Sequence, residues 1–486
     1  MKISFKIFRI AVWLVLALVA GWLSWQKIVP GGKISYTYDF TRDNYFIGKL
    51  SPSERVRPPE NGTQVITGDP VYFSLTPPRR FEKARLIIKY KIESKDKNHA
   101  PPIIEAGILK DQFWHYDLKP IENSIISGLA KKWSSITEND LILLQKEIKY
   151  KSVDEFLKNL PPLNQIATYN YNLNHVFRLQ SYKPEKQTRA LPASIRGPYG
   201  FYVYINNEEL NLNFDFLDLN KNLSADPIKV RVMKGSKLIM EKELADDGDR
   251  SDSGKIGYQG KINIKQPGLA EGVYNVEVLA NDDIVTSKIA TAQSKISFIK
   301  KIWIYDSKNF PLRILTDNDG ISAQTSNPSS IQGIETNSGS LELKETYKQF
   351  DKKLTASLTD LTLKKGDTLL SGDGMFAFSS DELFDPEIKK ITQYFDAGKN
   401  NTEYIIARYI EPEQKDAPAD GQTGWMTAAA DFDITGAYRE NGKFNFMLSI
   451  PGLKIDDGID DSVIVKEIHV DLEGKNLWEK ISSILR

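Results

Sequence analysis

Between residues 210 and 216 apolar and polar side chains alternate without a break: Leu210, Leu212, Phe214 and Phe216 against Asn211, Asn213 and Asp215. A period of two places one set on each face of a strand, so this segment is predicted to be half buried in a sheet. Runs of the same kind follow at 228–233, 237–244, 258–264, 273–279 and 284–289, one strand about every 10 residues, the spacing of an antiparallel sandwich. Upstream, 71–75, 84–90, 103–109 and 165–173 read as strands, and downstream so do 302–305, 341–345, 358–363, 368–378, 403–410, 425–437, 443–448 and 463–472. Asn441-Gly442 marks a tight hairpin, because both residues accept positive φ. Short helices are predicted around 121–129, 138–144 and 152–160, the last opened by Ser152 with Glu155 and stopped by Pro161-Pro162.

The N-terminus is of another kind. Lys2, Lys6 and Arg9 precede an uncharged stretch over residues 10–26, with Lys27 after it. With Ile28-Val29 the stretch approaches the ~20 residues a helix needs to cross a bilayer. Trp13 lies within it, and Trp22 and Trp25 fall at its outer end, where indole rings favour the interface. The charge bias favours a cytoplasmic N-terminus and an exported body. A cleaved signal peptide is the competing reading, and the chain lacks a clean A-x-A cleavage site. The expectation is a retained single-pass anchor.

Composition excludes several classes. Lys plus Arg number 64 and Asp plus Glu 64, so no basic surface for nucleic acid is expected. The absence of Cys rules out disulfides, thiolate catalysis and Cys-based metal sites. A cysteine-free exported chain is ordinary for a bacterial envelope protein and must hold itself together by apolar cores. The expected fold class is mainly β, an N-terminal transmembrane helix followed by tandem antiparallel β-sandwiches, jelly-roll-like and immunoglobulin-like. The expected segments are a cytoplasmic stub over 1–9, a transmembrane helix over 10–29 and a β-sandwich-like domain over 33–183. A linker over 184–198, an immunoglobulin-like sandwich over 199–298, a jelly-roll-like domain over 300–475 and a C-terminal helix over 476–486 complete the chain. In that helix Leu477, Trp478, Ile481, Ile484 and Leu485 recur at helical spacing. It is expected to dock on the last domain, with a membrane or a partner as the alternative.

Residues 244–249 (Leu-Ala-Asp-Asp-Gly-Asp), 251–254 (Ser-Asp-Ser-Gly) with Tyr258, and 271–278 (Glu-Gly-Val-Tyr-Asn-Val-Glu-Val) carry a resemblance. Together they resemble the turn-and-strand run of bacterial immunoglobulin-like surface modules. The resemblance covers about 100 of the 486 residues, and it implies an adhesion, spacer or binding role without catalysis. The Cys and Trp of antibody domains are missing, which leaves the architecture alone.

Candidate chemistry is sparse. Asp246, Asp247, Asp249 and Asp252 could offer hard oxygens to Ca²⁺, but the EF-hand pattern fails, with Gly260 where its Glu should stand. A solvated Asp/Gly hairpin is the competing reading. Asp218-x-Asn220-x-Asn222 has ligand-like spacing with Leu223 in place of the required Gly, and Asp317-Asn318-Asp319-Gly320 reads as a turn. The four His, at 99, 115, 175 and 469, form no zinc motif, and no hydrolase or nucleotide motif is present. Trp114, Tyr116 and Trp425 are candidates for stacking on sugar faces, with a core role as the alternative. The reading is a membrane-anchored extracytoplasmic binding or scaffolding protein that engages envelope glycan or a partner protein. The alternatives are a glycan-processing hydrolase using an Asp/Glu pair and an accessory subunit of a membrane complex.

Overall fold

In a computed structural model of the chain the described residues are 2–27, 32–93, 103–110, 115–179, 182–185, 187–221, 223, 225–246, 248, 252–307, 309–415, 424–453 and 462–484. The fold is mainly β, in several antiparallel sheets, and its helices are α1 (Lys2–Lys27), α2 (Ser124–Ala130), α3 (Val153–Lys158) and α4 (Leu477–Ile484). Within α1, Lys6–Trp25 is long and apolar enough to cross a membrane, and none of it is buried against protein.

Contacts divide the chain into two compact units: Met1–Val153 with Ala407–Arg486, and Asp154–Ile406. The segment expected at 300–475 is therefore shared between them. The reason lies in pairing. Strand Ser462–Glu473 inserts between Lys33–Tyr38 and Lys83–Glu93, and Trp425–Asp433 pairs on the far side of Lys83–Glu93.

The first unit is a two-layer sandwich. Its second sheet runs Val71–Leu75, Lys443–Ser449, Ile103–Leu109, Tyr116–Asn123. Phe73 and Phe446 stack at 5.2 Å between the layers, with Phe432 edge-on to Phe446 at 5.8 Å. The Asn441-Gly442 turn forms as the sequence predicts, at φ +50° and +80°, and pairs Glu440 with Lys443. The helix expected over 138–144 is instead a hairpin of Ser134–Glu138 and Leu141–Gln145. Asn139 takes φ +57°, a left-handed conformation that breaks a helix and that Asn tolerates in turns.

In the second unit, strand Tyr199–Ile205 pairs with Gly272–Leu279, which also pairs with Ile228–Lys234. The opposing layer sets Leu210–Asp218 between Gly257–Gln266 and Ile284–Thr291. The alternation read at 210–216 is realised: Leu210, Leu212, Phe214 and Phe216 are all fully buried. Residues expected in a linker form two short strands, Arg189–Ala190 and Ala193–Arg196, because Leu191 and Ile195 are core residues. The 12-residue strand Ile296–Ser307 pairs with Thr368–Ala377 and continues the core into the strands that follow.

Candidate functional site

The second unit holds a cleft of about 620 Å³, within the range of small-molecule sites. One wall comes from paired strands, where Tyr202 stands opposite Asn275. A second comes from the turn at Lys234 and Gly235, where Gly235 takes φ +56°. The irregular segment through Tyr171, His175, Phe177 and Arg178 and the segment from Pro386 to Lys390 close it.

The polar groups of the cleft are held in place. The Tyr202 hydroxyl donates to Glu387 Oε1 at 2.9 Å, and Lys390 pairs with Glu387 at 3.2 Å. Burial opposes ionisation of Glu387, but the Lys390 charge and the Tyr202 hydrogen bond outweigh it and hold its carboxyl below the usual range. The Tyr204 hydroxyl donates to Glu271 Oε1 at 2.7 Å. Lys234 donates to the main-chain oxygens of Ala270 and Glu271 at 3.2 and 3.1 Å. His175 engages the Leu173 and Pro386 carbonyls through its two ring nitrogens, at 3.2 and 2.7 Å. Asn275 differs from these groups. Its Nδ2 donates to Glu277 at 3.0 Å, while its Oδ1 is buried with no hydrogen-bond partner. A desolvated acceptor of this kind costs about 1–3 kcal/mol until a donor meets it.

Deeper in the same unit lies a charged cluster. Asp319, which is fully buried, is bound by Lys399 at 2.9 Å and Lys389 at 3.3 Å. Nearby, burial and then the adjacent Asp317 carboxylate push Asp385 up to about 8. Burial likewise raises Asp317, against a hydrogen bond of 2.7 Å from the Met375 amide.

Among the described residues, the acidic group whose oxygens converge within 4.8 Å is Asp218, Asp226 and Asp283, all buried. It could hold a hard cation. However, Asp218 Oδ1 accepts from the Asn220 amide at 2.7 Å, Asp283 Oδ2 from Lys221 at 3.3 Å, and Asp226 Oδ1 from Asn281. One oxygen of each carboxylate is thus already hydrogen-bonded within the protein, and an ion that takes six to eight oxygens would need carbonyl or water oxygens to complete its shell. Of the Asp residues expected to bind Ca²⁺, Asp246 adjoins this cluster by accepting from the Asp226 amide at 3.0 Å. Asp252 is exposed, and Asp247 and Asp249 lie outside the described residues.

The aromatic candidates belong to the other unit. Trp114 lies outside the described residues. Tyr116 packs against Tyr72 at 5.9 Å, and burial pushes its hydroxyl up to about 12. Trp425 is half-buried with the Lys466 ammonium 5.3 Å from its ring. Tyr116 and Trp425 lie in different sheets. Trp13 and Trp22 are exposed along α1, and the Arg79 guanidinium lies over the Trp25 ring at 3.7 Å.

The sequence reading assigned none of the cleft's residues to a site: His175 entered only as one of four His that form no zinc motif, Asn275 only within the run that carries the immunoglobulin-like resemblance, and Glu387 and Lys390 not at all. Asn275 and Glu387 are 112 positions apart in the numbering, and no local spacing signals their convergence.

No protein-family model matches the chain, and no curated protein sequence matches it. Among solved structures, the VP2 subviral particle of infectious bursal disease virus aligns at 8% identity over 94% of this chain and 85% of that one, with a TM-score of 0.15. Dimeric latent PorU from Porphyromonas gingivalis aligns at 9% identity over 64% of this chain and 33% of that one, with a TM-score of 0.16. Such scores carry no argument about function.

Proposed function

We propose that the chain is a membrane-anchored extracytoplasmic binding protein of a bacterial cell envelope, and that the cleft of the Asp154–Ile406 unit takes a hydroxyl-rich ligand of the glycan class. On this reading α1 is a single-pass anchor with its N-terminus in the cytoplasm, and the 199–298 region is an immunoglobulin-like binding module. Tethering raises the local concentration of the site at the envelope, so a weak contact suffices.

The observation that carries this reading is the polar, aromatic-edged cleft itself, lined by His175, Asn275, Glu387 and Lys390. Side chains of these types exchange hydrogen bonds with sugar hydroxyls, while Tyr171, Phe177 and Tyr202 offer ring faces and edges. Binding is favoured over hydrolysis because a glycosidase needs a carboxylic acid with a raised pKa at the reacting bond. Within the cleft, Glu387 is held low by Lys390, and Asp385, which is raised, is not among the lining residues.

The test is titration of the full chain in detergent against a panel of envelope glycans. Saturable binding is expected, with Asn275→Ala weakening it about fivefold, the equivalent of one hydrogen bond of about 1 kcal/mol. Because protein side chains make the contacts, binding is expected to persist when Ca²⁺ is replaced by a chelator. Loss on chelation would move the site to Asp218, Asp226 and Asp283. No binding to any glycan would overturn the reading in favour of a protein partner.

A further inference from the structure

We propose that α4 is a second membrane contact, lying in the surface of the bilayer that α1 crosses. This rests on the anchor reading above.

The argument begins with chain connectivity. The first strand opens at Lys33, separated from the end of α1 only by residues 28–32, so the two ends lie at most about 22 Å apart. That strand pairs with the last one, Lys33 opposite Glu473, and the Gly474 amide donates to the Gly32 carbonyl at 2.8 Å. The chain therefore leaves α1 and enters α4 at neighbouring points. Arg79 over the Trp25 ring marks the same end of the first unit independently, because it holds the 76–80 connection at the outer end of α1. Whatever bilayer α1 occupies is within reach of α4.

The chemistry of α4 fits that surface. A capping box fixes its start: the Glu479 amide donates to Asn476 Oδ1 and the Asn476 amide to Glu479 Oε2, both at 2.9 Å. Trp478 is 76% exposed, so its indole is not packed against the sandwich. In sequence, positions 477, 478, 481 and 484 are apolar at helical spacing, flanked by Lys475 and Lys480. A capped helix that presents an unburied indole and carries flanking cations matches an interfacial helix on anionic lipid. Two attachments would fix how the first unit stands on the membrane, where a single helix would leave it free to swivel.

The absence of native Cys permits clean single-site labelling. Ile481→Cys and Ser483→Cys, about 160° apart around a helix of 3.6 residues per turn, are each made in the full chain, labelled with a polarity-sensitive dye and reconstituted into vesicles of zwitterionic and anionic phospholipid. Quenching by a spin label on the lipid is expected to be at least twofold stronger at 481 than at 483. Adding Trp478→Glu is expected to remove the difference. Equal quenching at both positions in protein that resists alkaline extraction would overturn the inference and leave the anchor intact. Release of the protein by alkaline extraction would overturn the anchor reading and this inference with it.

Discussion

Replacing Asp319 by Ala is expected to lower the stability of the Asp154–Ile406 unit by about 3–5 kcal/mol, the cost of leaving buried charge without its partner. The Asp319 side chain is 0% exposed and Lys399 7%. Lys399 Nζ binds Asp319 Oδ1 at 2.9 Å, Lys389 Nζ binds Oδ2 at 3.3 Å, and the Asn400 amide reaches both oxygens at 3.1 and 3.0 Å. Burial opposes the charge on Lys389, but Asp319, Asp373 and Asp317 together hold its pKa above the ordinary value. Asp319→Ala therefore removes the acceptor while the ammonium groups remain. The double variant Asp319→Leu, Lys399→Met is expected to recover part of the loss, because an apolar pair of similar size avoids the desolvation that the ion pair carries. The readout is the urea midpoint of the full chain, and a loss under about 1 kcal/mol for the single variant would show that water, not Asp319, solvates these lysines.

This cluster also shows where sequence reading stops. Asp317-Asn318-Asp319-Gly320 reads as a solvated turn, since Asp, Asn and Gly favour turns for local reasons. What buries it comes from far along the chain: Lys389, Lys399 and Asn400 supply its partners, and the Tyr394 ring approaches so closely that a Cβ on Gly320 would lie 2.1 Å from it. A β-prone run bounded by turn residues, by contrast, is a local signal, so the strands at 71–75, 103–109 and 237–244 are legible to the residue. Which strands share a sheet is not. Nothing in residues 462–473 says that they lie between two strands from the first 93 residues, because the only requirement visible there is that one face be buried. The same limit hides the cleft, whose walls come from five separate segments between Thr168 and Lys390. The metal candidates show an intermediate case. The Asp-rich run at 246–252 drew attention by density, whereas the carboxylates that converge are Asp218 at the end of its strand, Asp226 in the connection that follows it and Asp283 in the turn before Ile284.

The second large effect concerns pH. Asp385, pushed up to about 8 by burial and by Asp317, stays protonated in the folded unit at pH values where the unfolded chain ionises it near the ordinary value of 3.8. The folded state thus binds more protons between about pH 4 and pH 8, so this group lowers stability progressively as pH rises through that window, and its contribution levels off above it. Asp385→Asn removes the ionisation and retains an oxygen to accept the Glu387 amide, which Asp385 Oδ1 now does at 2.8 Å. The variant is therefore expected to match the parent near pH 4 and to exceed it increasingly toward pH 8, by several kcal/mol at the upper end, because each pKa unit between the folded and unfolded chain is worth about 1.36 kcal/mol. Because Asp317 contributes to the rise in Asp385, Asp317→Asn is expected to lower the pKa of Asp385 and flatten the same slope, at the cost of weakening the hydrogen bond from the Met375 amide. Melting temperatures of the three proteins at pH 5 and pH 8 decide the matter. A constant difference between Asp385→Asn and its parent across that range would show that Asp385 is ionised in the folded unit, with Lys389 offsetting both its burial and the Asp317 charge.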